Sequence, residues 1–434
     1  MDPITLASFA IAGMFVMIVL HVPIGLSMAL AGVIGYGFLT SFGASFSLLS
    51  SEGIANLSDL GLVVVPLFLL MGNFASAAGI STDMYNLAHA LLGRYRGGLA
   101  MATIGGCGLF GAVCGSSFAT TATFGRVALP EMIRRGYAPT LATGCIAAGG
   151  NLGTLVPPSV ILVIYAIMAE QYIIRLFIAA IMPAVLTVLL YFAAIMIYVR
   201  LYPKAGPAGE HVNRSALLGV VVGSWRAIFL IAAIAAGMYG GVFTATEAAA
   251  FGAILAFFFA LFGGKMNVKV FWETLSDTAA TTAMIYVIII GANVFNYFIV
   301  LTHMPDYLTQ SITDSGLSTY IVIIILLFIY LVLGCIFDSI AAMLITLPFV
   351  LPWILSMGFS PVWWGIINLV VVEIGVITPP IGMNVFVLHG LAREYSLSTI
   401  YKGIVPFLCA DVVRLSLLAI FPVISLWLPS MFKG

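Results

Sequence analysis

GGNLGTLVPPS (149–159) and EIGVITPPIG (373–382) decide how this chain is read. Each lies inside a long apolar run, yet each carries two adjacent prolines and at least one glycine. Proline removes a backbone donor and breaks the helical ladder, and glycine admits tight turns and close approach. Backbone freed from a helix at membrane depth is tolerated only where protein or a cavity surrounds it. Both stretches are therefore expected to unwind mid-membrane as broken helices. Their freed carbonyls and half-helix C-termini suit a cation, and their half-helix N-termini suit an anion.

The rest of the composition supports a membrane setting. Of 434 residues 62% are hydrophobic, and only 16 Lys or Arg and 16 Asp or Glu are present. A water-soluble fold of this length would need more charge to cover its surface. At roughly 20 residues per crossing, the apolar runs allow about ten spans. They fall near 4–20, 22–40, 60–79, 97–133, 140–168, 176–199, 227–243, 245–263, 279–301, 317–355, 361–391 and 403–429. The fold class expected is an all-α polytopic membrane protein. The start, MDPITLASF, lacks a basic n-region, so the first apolar run is expected to stay as a span. Zero net charge gives no nucleic-acid surface. Five scattered cysteines form no C-x-x-C and read as packing residues. The five histidines (His21, His89, His211, His303, His389) fall near span ends without metal spacing, and no phosphate-binding G-x-x-x-x-G-K-[ST] is present. Trp363, Trp364 and Trp427 are expected in the aromatic belt.

Two runs, 97–133 and 317–355, are too long for one crossing. The first is flanked by Arg94 and Arg96 before and Arg134 and Arg135 after, so a single crossing would split these pairs across the membrane. Entering and returning leaves all four in the cytoplasm. The second run follows His303, Asp306 and Asp314 and reads as a hairpin entering from outside. Arg200, Lys204, Arg214, Arg226, Lys265, Lys269, Arg393 and Lys402 fall on the cytoplasmic side as well, which places both termini outside.

The hairpins belong to a repeat. Shifted by 222 positions, Pro130 meets Pro352, Gly136 meets Gly358 and Pro139 meets Pro361. Gly153 then meets Gly375, and Pro157 and Pro158 meet Pro379 and Pro380. Composition alone would give roughly 0.6 such identities over this stretch. Ser117 also meets Ser339, and Asn151 meets Glu373. Opposite flanking charges give the copies opposite orientation, the mark of an alternating-access secondary transporter. The expected division is residues 1–215, with a hairpin near 97–133 and a broken helix near 140–168. The second half is 216–434, with a hairpin near 317–355 and a broken helix near 361–391.

Each hairpin tip adds oxygen. CGSSFATTATFG (114–125) supplies Ser116, Ser117, Thr120 and Thr121, and GCIFDSIAAML (334–344) supplies Asp338 and Ser339. Hydroxyls and carbonyls with at most one carboxylate suit a monovalent cation better than Ca²⁺. Pairing each tip with the broken helix that follows gives two pseudo-symmetric cation sites around a substrate cavity. The same hydroxyls could instead cap or bond back to their own helices. Asp338 is an intramembrane carboxylate and a functional candidate by position. Glu373 and Asp411 are further buried acids. Arg126 could hold an anionic substrate or snorkel to the cytoplasmic interface.

GSSFAT, ALPEMIRRGY, GGNLGTLVPPS, GVFTATEAAAFGA (241–253), CIFDSIAAMLITLPFVLP and EIGVITPPIGMNVFV, in this order, resemble the large membrane subunit of tripartite ATP-independent periplasmic (TRAP) transporters. The resemblance covers essentially the whole chain. It implies an elevator-type fold of the ion-transporter superfamily. It also implies Na⁺-driven uptake of an organic anion, such as a C4-dicarboxylate or sialic acid, across the bacterial inner membrane. The implied partners are a separate small four-helix membrane subunit and a periplasmic substrate-binding protein. No ATP or organic cofactor is implied. By this resemblance one Na⁺ site would use Ser116, Ser117, Gly150, Gly153 and Val156, and another Gly334, Asp338, Gly375 and Thr378. Substrate is expected near Arg126, Thr120, Ser339, Asn151, Thr154, Pro158, Pro380 and Asn384.

Other readings remain open at the level of sequence. A self-sufficient Na⁺/dicarboxylate symporter of the same superfamily would share the hairpins and need no binding protein. An intramembrane enzyme would need a positioned nucleophile and base, and no Ser/His or paired-Asp motif is present. A channel would need filter rings from several chains.

Overall fold

The computed structural model of the chain describes residues 2–209, 214–314 and 316–432. Among them all regular structure is helical, apart from one isolated bridge between Arg96 and Ala208. The chain opens with α1 (Pro3–Val19), α2 (Ile24–Leu39), α3 (Phe42–Ser58), α4 (Val64–Ala78) and α5 (Ile80–Leu92). The first hairpin is α6 (Gly98–Cys114) and α7 (Ser117–Arg134). The first broken helix is α8 (Pro139–Gly150), α9 (Leu152–Leu155) and α10 (Val160–Met168), and α11 (Ile173–Leu201) follows. Next come α12 (Arg214–Gly223), α13 (Trp225–Tyr239), α14 (Ala245–Phe262), α15 (Val268–Leu301) and α16 (Met304–Asp314). The second hairpin is α17 (Thr319–Ile336) and α18 (Ser339–Ser356), the second broken helix α19 (Pro361–Ile377) and α20 (Met383–Leu391). α21 (Leu397–Ile420) and α22 (Val423–Met431) end the fold.

Among the described residues six helices are long and apolar enough to cross a membrane, or nine if each of three bent pairs is one span. The 222-residue shift recurs in the helices themselves. Shifted, α7 covers residues 339–356, the span of α18, and α8 starts where α19 starts. α2 falls within α14, and α1 starts where α13 starts. Packing follows the same rule: α2 lies along α15, and α4 lies along α14. Because α14 is the mate of α2 and α15 contains the mate of α4, each contact is the other with the halves exchanged.

The repeated glycines and prolines now have physical reasons. Gly136 and Gly358 follow the two hairpins at φ +78° and +79°, a backbone region that favours glycine as a helix stop. Pro139 and Pro361 open the next helices at N1, where a missing N–H costs nothing.

Backbone contacts bring the basic residues to one end. Gly97 N donates to Gly206 O at 3.1 Å, and Ala138 N donates to Ala205 O at 3.0 Å. The Tyr137 hydroxyl accepts from Leu99 N at 3.1 Å and donates to Pro207 O at 3.1 Å. Both ends of the first hairpin therefore meet the loop after α11, which gathers Arg94, Arg96, Arg134, Arg135, Arg200 and Lys204. Arg226 joins Asp83 at 3.0 Å. His211 and the Arg214 side chain lie outside the described residues.

Two expectations need correction. Trp363 and Trp364 are fully buried rather than interfacial: the Trp363 indole donates to Leu418 O at 3.0 Å, and Tyr330 packs edge-on against Trp364. Of the three expected belt residues only Trp427 is exposed. The apolar runs also missed α3, α5, α12 and α16. In α5 and α16 the apolar residues recur on one face instead of forming a run. α5 turns away from α4 by 69° at Gly79.

Candidate functional site

The two hairpin tips and the two breaks meet in the interior. α6 ends at Gly115, and α7 begins at its N-cap Ser116, whose hydroxyl accepts from Ala119 N at 3.4 Å. α18 begins at its N-cap Asp338, whose Oδ1 accepts from Ile340 N at 3.0 Å and Ala341 N at 3.1 Å. Ser116 and Asp338 are repeat mates doing the same local job. Ser159 caps α10 by accepting from Leu162 N at 3.4 Å.

Small residues let the breaks approach the tips. A Cβ added at Gly153 would stand 2.5 Å from the Ser116 carbonyl oxygen, and one at Gly375 would stand 2.6 Å from the Gly334 carbonyl carbon. Gly150 faces Thr121, the Ser117 carbonyl and Asn384 in the same way. Only glycine fits these crossings.

A hydrogen-bond chain crosses all four elements. The Ser117 hydroxyl meets Asn384 Oδ1 at 3.3 Å. Asn384 Nδ2 donates to Asn151 Oδ1 at 3.0 Å. Asn151 Nδ2 donates to the Glu373 carbonyl at 2.9 Å, and the Ser339 hydroxyl donates to Glu373 Oε1 at 2.7 Å. Ser117 and Ser339 are repeat mates, and so are Asn151 and Glu373. Two buried oxygens in this region, Thr121 Oγ1 and Glu373 Oε2, have no protein partner. A buried polar atom without a partner is costly unless something else satisfies it.

Beside this chain lies a cavity of about 100 Å³. Ser116, Ser117, Thr154, Asp338, Ser339 and Glu373 supply its polar wall. Leu69 of α4 and Thr281, Met284 and Ile285 of α15 close the other side. The N-terminal ends of α7, α10 and α18 all border it, which gives partial positive charge from three directions. Its lining holds two carboxylates and no Lys or Arg.

The expected residues sort as follows. Ser116, Ser117, Thr154, Asp338 and Ser339 line the cavity, and Asn151 and Asn384 stand one hydrogen bond behind it. Thr120 is buried, and its hydroxyl donates to Ser116 O at 2.8 Å. Gly150, Gly153, Gly334 and Gly375 hold the close crossings. Val156 is half-buried within the first break, and Pro158 presents its carbonyl to Gly115. The Thr378 hydroxyl donates to Ile374 O at 2.6 Å, within its own helix. Arg126 and Pro380 do not join the cavity. Arg126 is exposed on α7. Pro380 is also exposed, and its carbonyl accepts from the Tyr401 hydroxyl at 3.2 Å.

Thr281, Met284 and Leu69 carried no signal in the sequence, because nothing in an apolar run says which face meets the hairpins. Asp411 belongs to a separate buried cluster. It pairs with Arg414 at 2.9 Å and accepts from the Tyr191 hydroxyl at 2.9 and 3.0 Å. Arg414 also reaches the Thr187 hydroxyl at 2.9 Å. A basic residue inside the run 403–429 was the visible clue to that pair.

The solved structure of the Alcanivorax borkumensis YdaH transporter has the same fold. It aligns with a TM-score of 0.58 over 87% of this chain and 88% of its own, at 17% identity. The C4-dicarboxylate TRAP transporter large permease protein DctM of Vibrio cholerae is 31% identical over 96% of both chains. The isethionate TRAP transporter permease protein DctMQ of Oleidesulfovibrio alaskensis is 31% identical over 100% of this chain and 67% of its own length. These relatives are permeases, not enzymes. The model of the tripartite ATP-independent periplasmic transporter DctM component matches residues 11–424. The chain belongs to that family, as a DctM component of a tripartite ATP-independent periplasmic transporter.

Proposed function

We propose that this permease imports an organic acid, coupled to Na⁺, across the bacterial inner membrane. The relatives named for C4-dicarboxylates and isethionate support an organic anion as cargo. The observation that carries the coupling is the cavity itself. An anion entering beside Asp338 and Glu373 meets two carboxylates with no basic side chain to offset them. Monovalent cations held by the tips and breaks would supply that charge, so substrate and cation would bind together or not at all. Hydroxyls and main-chain oxygens at Ser116, Ser117, Gly150, Gly153 and Val156 suit one Na⁺. Gly334, Asp338, Gly375 and Thr378 suit the other. Thr154 and Ser339 face the anion, with Asn151 one hydrogen bond behind them and three helix N-termini alongside.

A cavity of about 100 Å³ is smaller than the roughly 300–1,000 Å³ of ordinary ligand pockets. The tips must therefore separate from α4 and α15 to admit cargo. Residues 1–215 and 216–434 act as inverted repeats in this reading. Their hairpins and broken helices move as one body against α2, α4, α14 and α15, in an elevator motion, with both termini periplasmic. A periplasmic binding protein delivers the cargo, and a separate small membrane subunit braces the frame. The extra length of the DctMQ relative supports a second membrane component.

The test is uptake into proteoliposomes with Na⁺ or K⁺ as the only driving gradient. Uptake with Na⁺ alone supports the reading. Equal uptake with K⁺, or with neither, removes Na⁺ from it.

A further inference from the structure

Two larger cavities lie along α6 of the first hairpin, apart from the one just described. Near the basic end a cavity of about 550 Å³ lies between α6 and α11. Arg96 and Arg200 stand at its mouth, and Leu92, Met101, Phe192 and Met196 form its walls. Next to it a second cavity of about 560 Å³ shares Leu92. It runs along Gly105, Gly108 and Leu109 of α6 and Val188 and Leu189 of α11, as far as Pro157 in the first break. The wall opposite is formed by α5 and α13, through Ala88, Ile231 and Tyr239.

Three features say what fills this groove. First, no carboxylate among the described residues pairs with the charges at its mouth. Arg134 and Arg135 at the same end both pair with Glu131. Arg96 and Arg200 are exposed and have no carboxylate partner among the described residues. Secondly, the groove below them is apolar, so it suits hydrocarbon and not water. Thirdly, its floor is kept low by glycines that protein packing does not demand. A Cβ at Gly105 would meet nothing nearer than 3.6 Å, and one at Gly108 nothing nearer than 3.8 Å. Their neighbours differ: a Cβ at Gly106 would lie 2.7 Å from the Phe124 ring, and one at Gly111 2.5 Å from Leu152 O. Glycine in a helix interior is less stable than alanine. At 105 and 108 a Cβ would make only ordinary contacts, and both glycines line the groove.

We propose that an anionic phospholipid of the inner leaflet occupies this groove, its phosphate held by Arg96 and Arg200 and one acyl chain laid along Gly105 and Gly108. Basic pockets between membrane helices on the cytoplasmic side select such headgroups, and a guanidinium pair suits a phosphodiester in two-point contact. The lipid would sit between the first hairpin, which carries Ser116 and Ser117, and α5 with α13. It would thereby wedge the first hairpin against α5 and α13. The placement in the inner leaflet rests on the orientation proposed above. The binding itself does not depend on Na⁺ coupling or cargo.

The test is native mass spectrometry of the full chain in detergent, after exchange into phosphatidylglycerol, phosphatidylcholine or inorganic phosphate. One tightly retained phosphatidylglycerol per chain is expected, with phosphatidylcholine lost. The Arg96→Gln/Arg200→Gln variant should retain it roughly thirtyfold less, since each basic group at a membrane surface is worth about fivefold. Gly105→Leu should weaken retention with both arginines intact, and a normal unfolding temperature would show that the variant folds. Equal retention by wild type and the double arginine variant would overturn the proposal. So would displacement of the lipid by inorganic phosphate alone, which would assign the arginines to a soluble anion. High-yield crosslinking of the Met196→Cys variant to the small subunit would overturn it in favour of a partner helix. All three outcomes are read without transport, so they stand apart from any failure of the uptake assay.

Discussion

Asn151 donates a 2.9 Å hydrogen bond to the main-chain carbonyl of Glu373, the residue 222 positions further along and its own counterpart in the repeat. The two breaks therefore touch each other at equivalent points, and Asn384 and Ser339 extend the contact to the hairpin tips. One continuous polar seam joins both halves beside the interior cavity.

Cutting the seam should cost stability and transport together. Asn151→Leu leaves the Glu373 carbonyl and the Asn384 amide short of partners. Leaving a buried polar group unsatisfied costs about 1–3 kcal/mol. A lower unfolding temperature in detergent, with uptake reduced, is the expected result. Wild-type stability with normal uptake would show that the seam does not hold the breaks together.

The N-cap of Asp338 and its proposed role as a Na⁺ ligand are separable, and two substitutions tell them apart. As an N-cap its Oδ1 accepts from Ile340 N and Ala341 N. Asparagine caps a helix about as well as aspartate, whereas alanine costs about 0.5–2 kcal/mol. Asp338→Asn should therefore fold like wild type yet lose Na⁺ affinity by roughly 10–100-fold, the worth of a charged ligand at about 1.5–3 kcal/mol. Titrating uptake against Na⁺ reads this out. Unchanged Na⁺ dependence in the asparagine variant would leave Asp338 as a cap only.

Arg414 and Asp411 are both fully buried, and each depends on the other. Removing one partner strands the other charge, at about 3–5 kcal/mol, while replacing both with apolar residues is much milder. Arg414→Leu should lower the unfolding temperature sharply, and Asp411→Leu with Arg414→Leu should recover most of the loss. Additive losses would mean that the pair contributes little beyond its separate packing.

Thiol labelling from each side tests the opposed orientation of the hairpins. A cysteine at position 135 should react only from the cytoplasm, and one at position 357 only from the periplasm. Labelling of both from the same side would contradict inverted repeats.

Much of this fold is legible in the amino-acid sequence, because it rests on residue types with strong local consequences. The paired prolines mark the breaks, and the arginines on either side of 97–133 require a hairpin. The glycine at 136 and the proline at 139 mark where α7 stops and α8 starts. Amphipathic helices such as α5 are hidden because half their residues are polar. Trp363 and Trp364 mislead because a tryptophan near a span end reads the same whether it faces lipid or core. Tertiary packing decides that, as it decides that Arg126 points away from the cavity and that Thr281 points into it. Asn384 is visible as a polar residue in an apolar run, but its partners Ser117 and Asn151 lie more than 230 residues earlier.

The most direct test of the whole account is uptake in proteoliposomes holding this chain and a small membrane subunit, with a binding protein added outside. The driving force is an inward Na⁺ gradient. Uptake that requires all three components and Na⁺ is the expected result. Uptake by this chain alone, without the binding protein, would contradict the tripartite mechanism and describe a self-sufficient symporter.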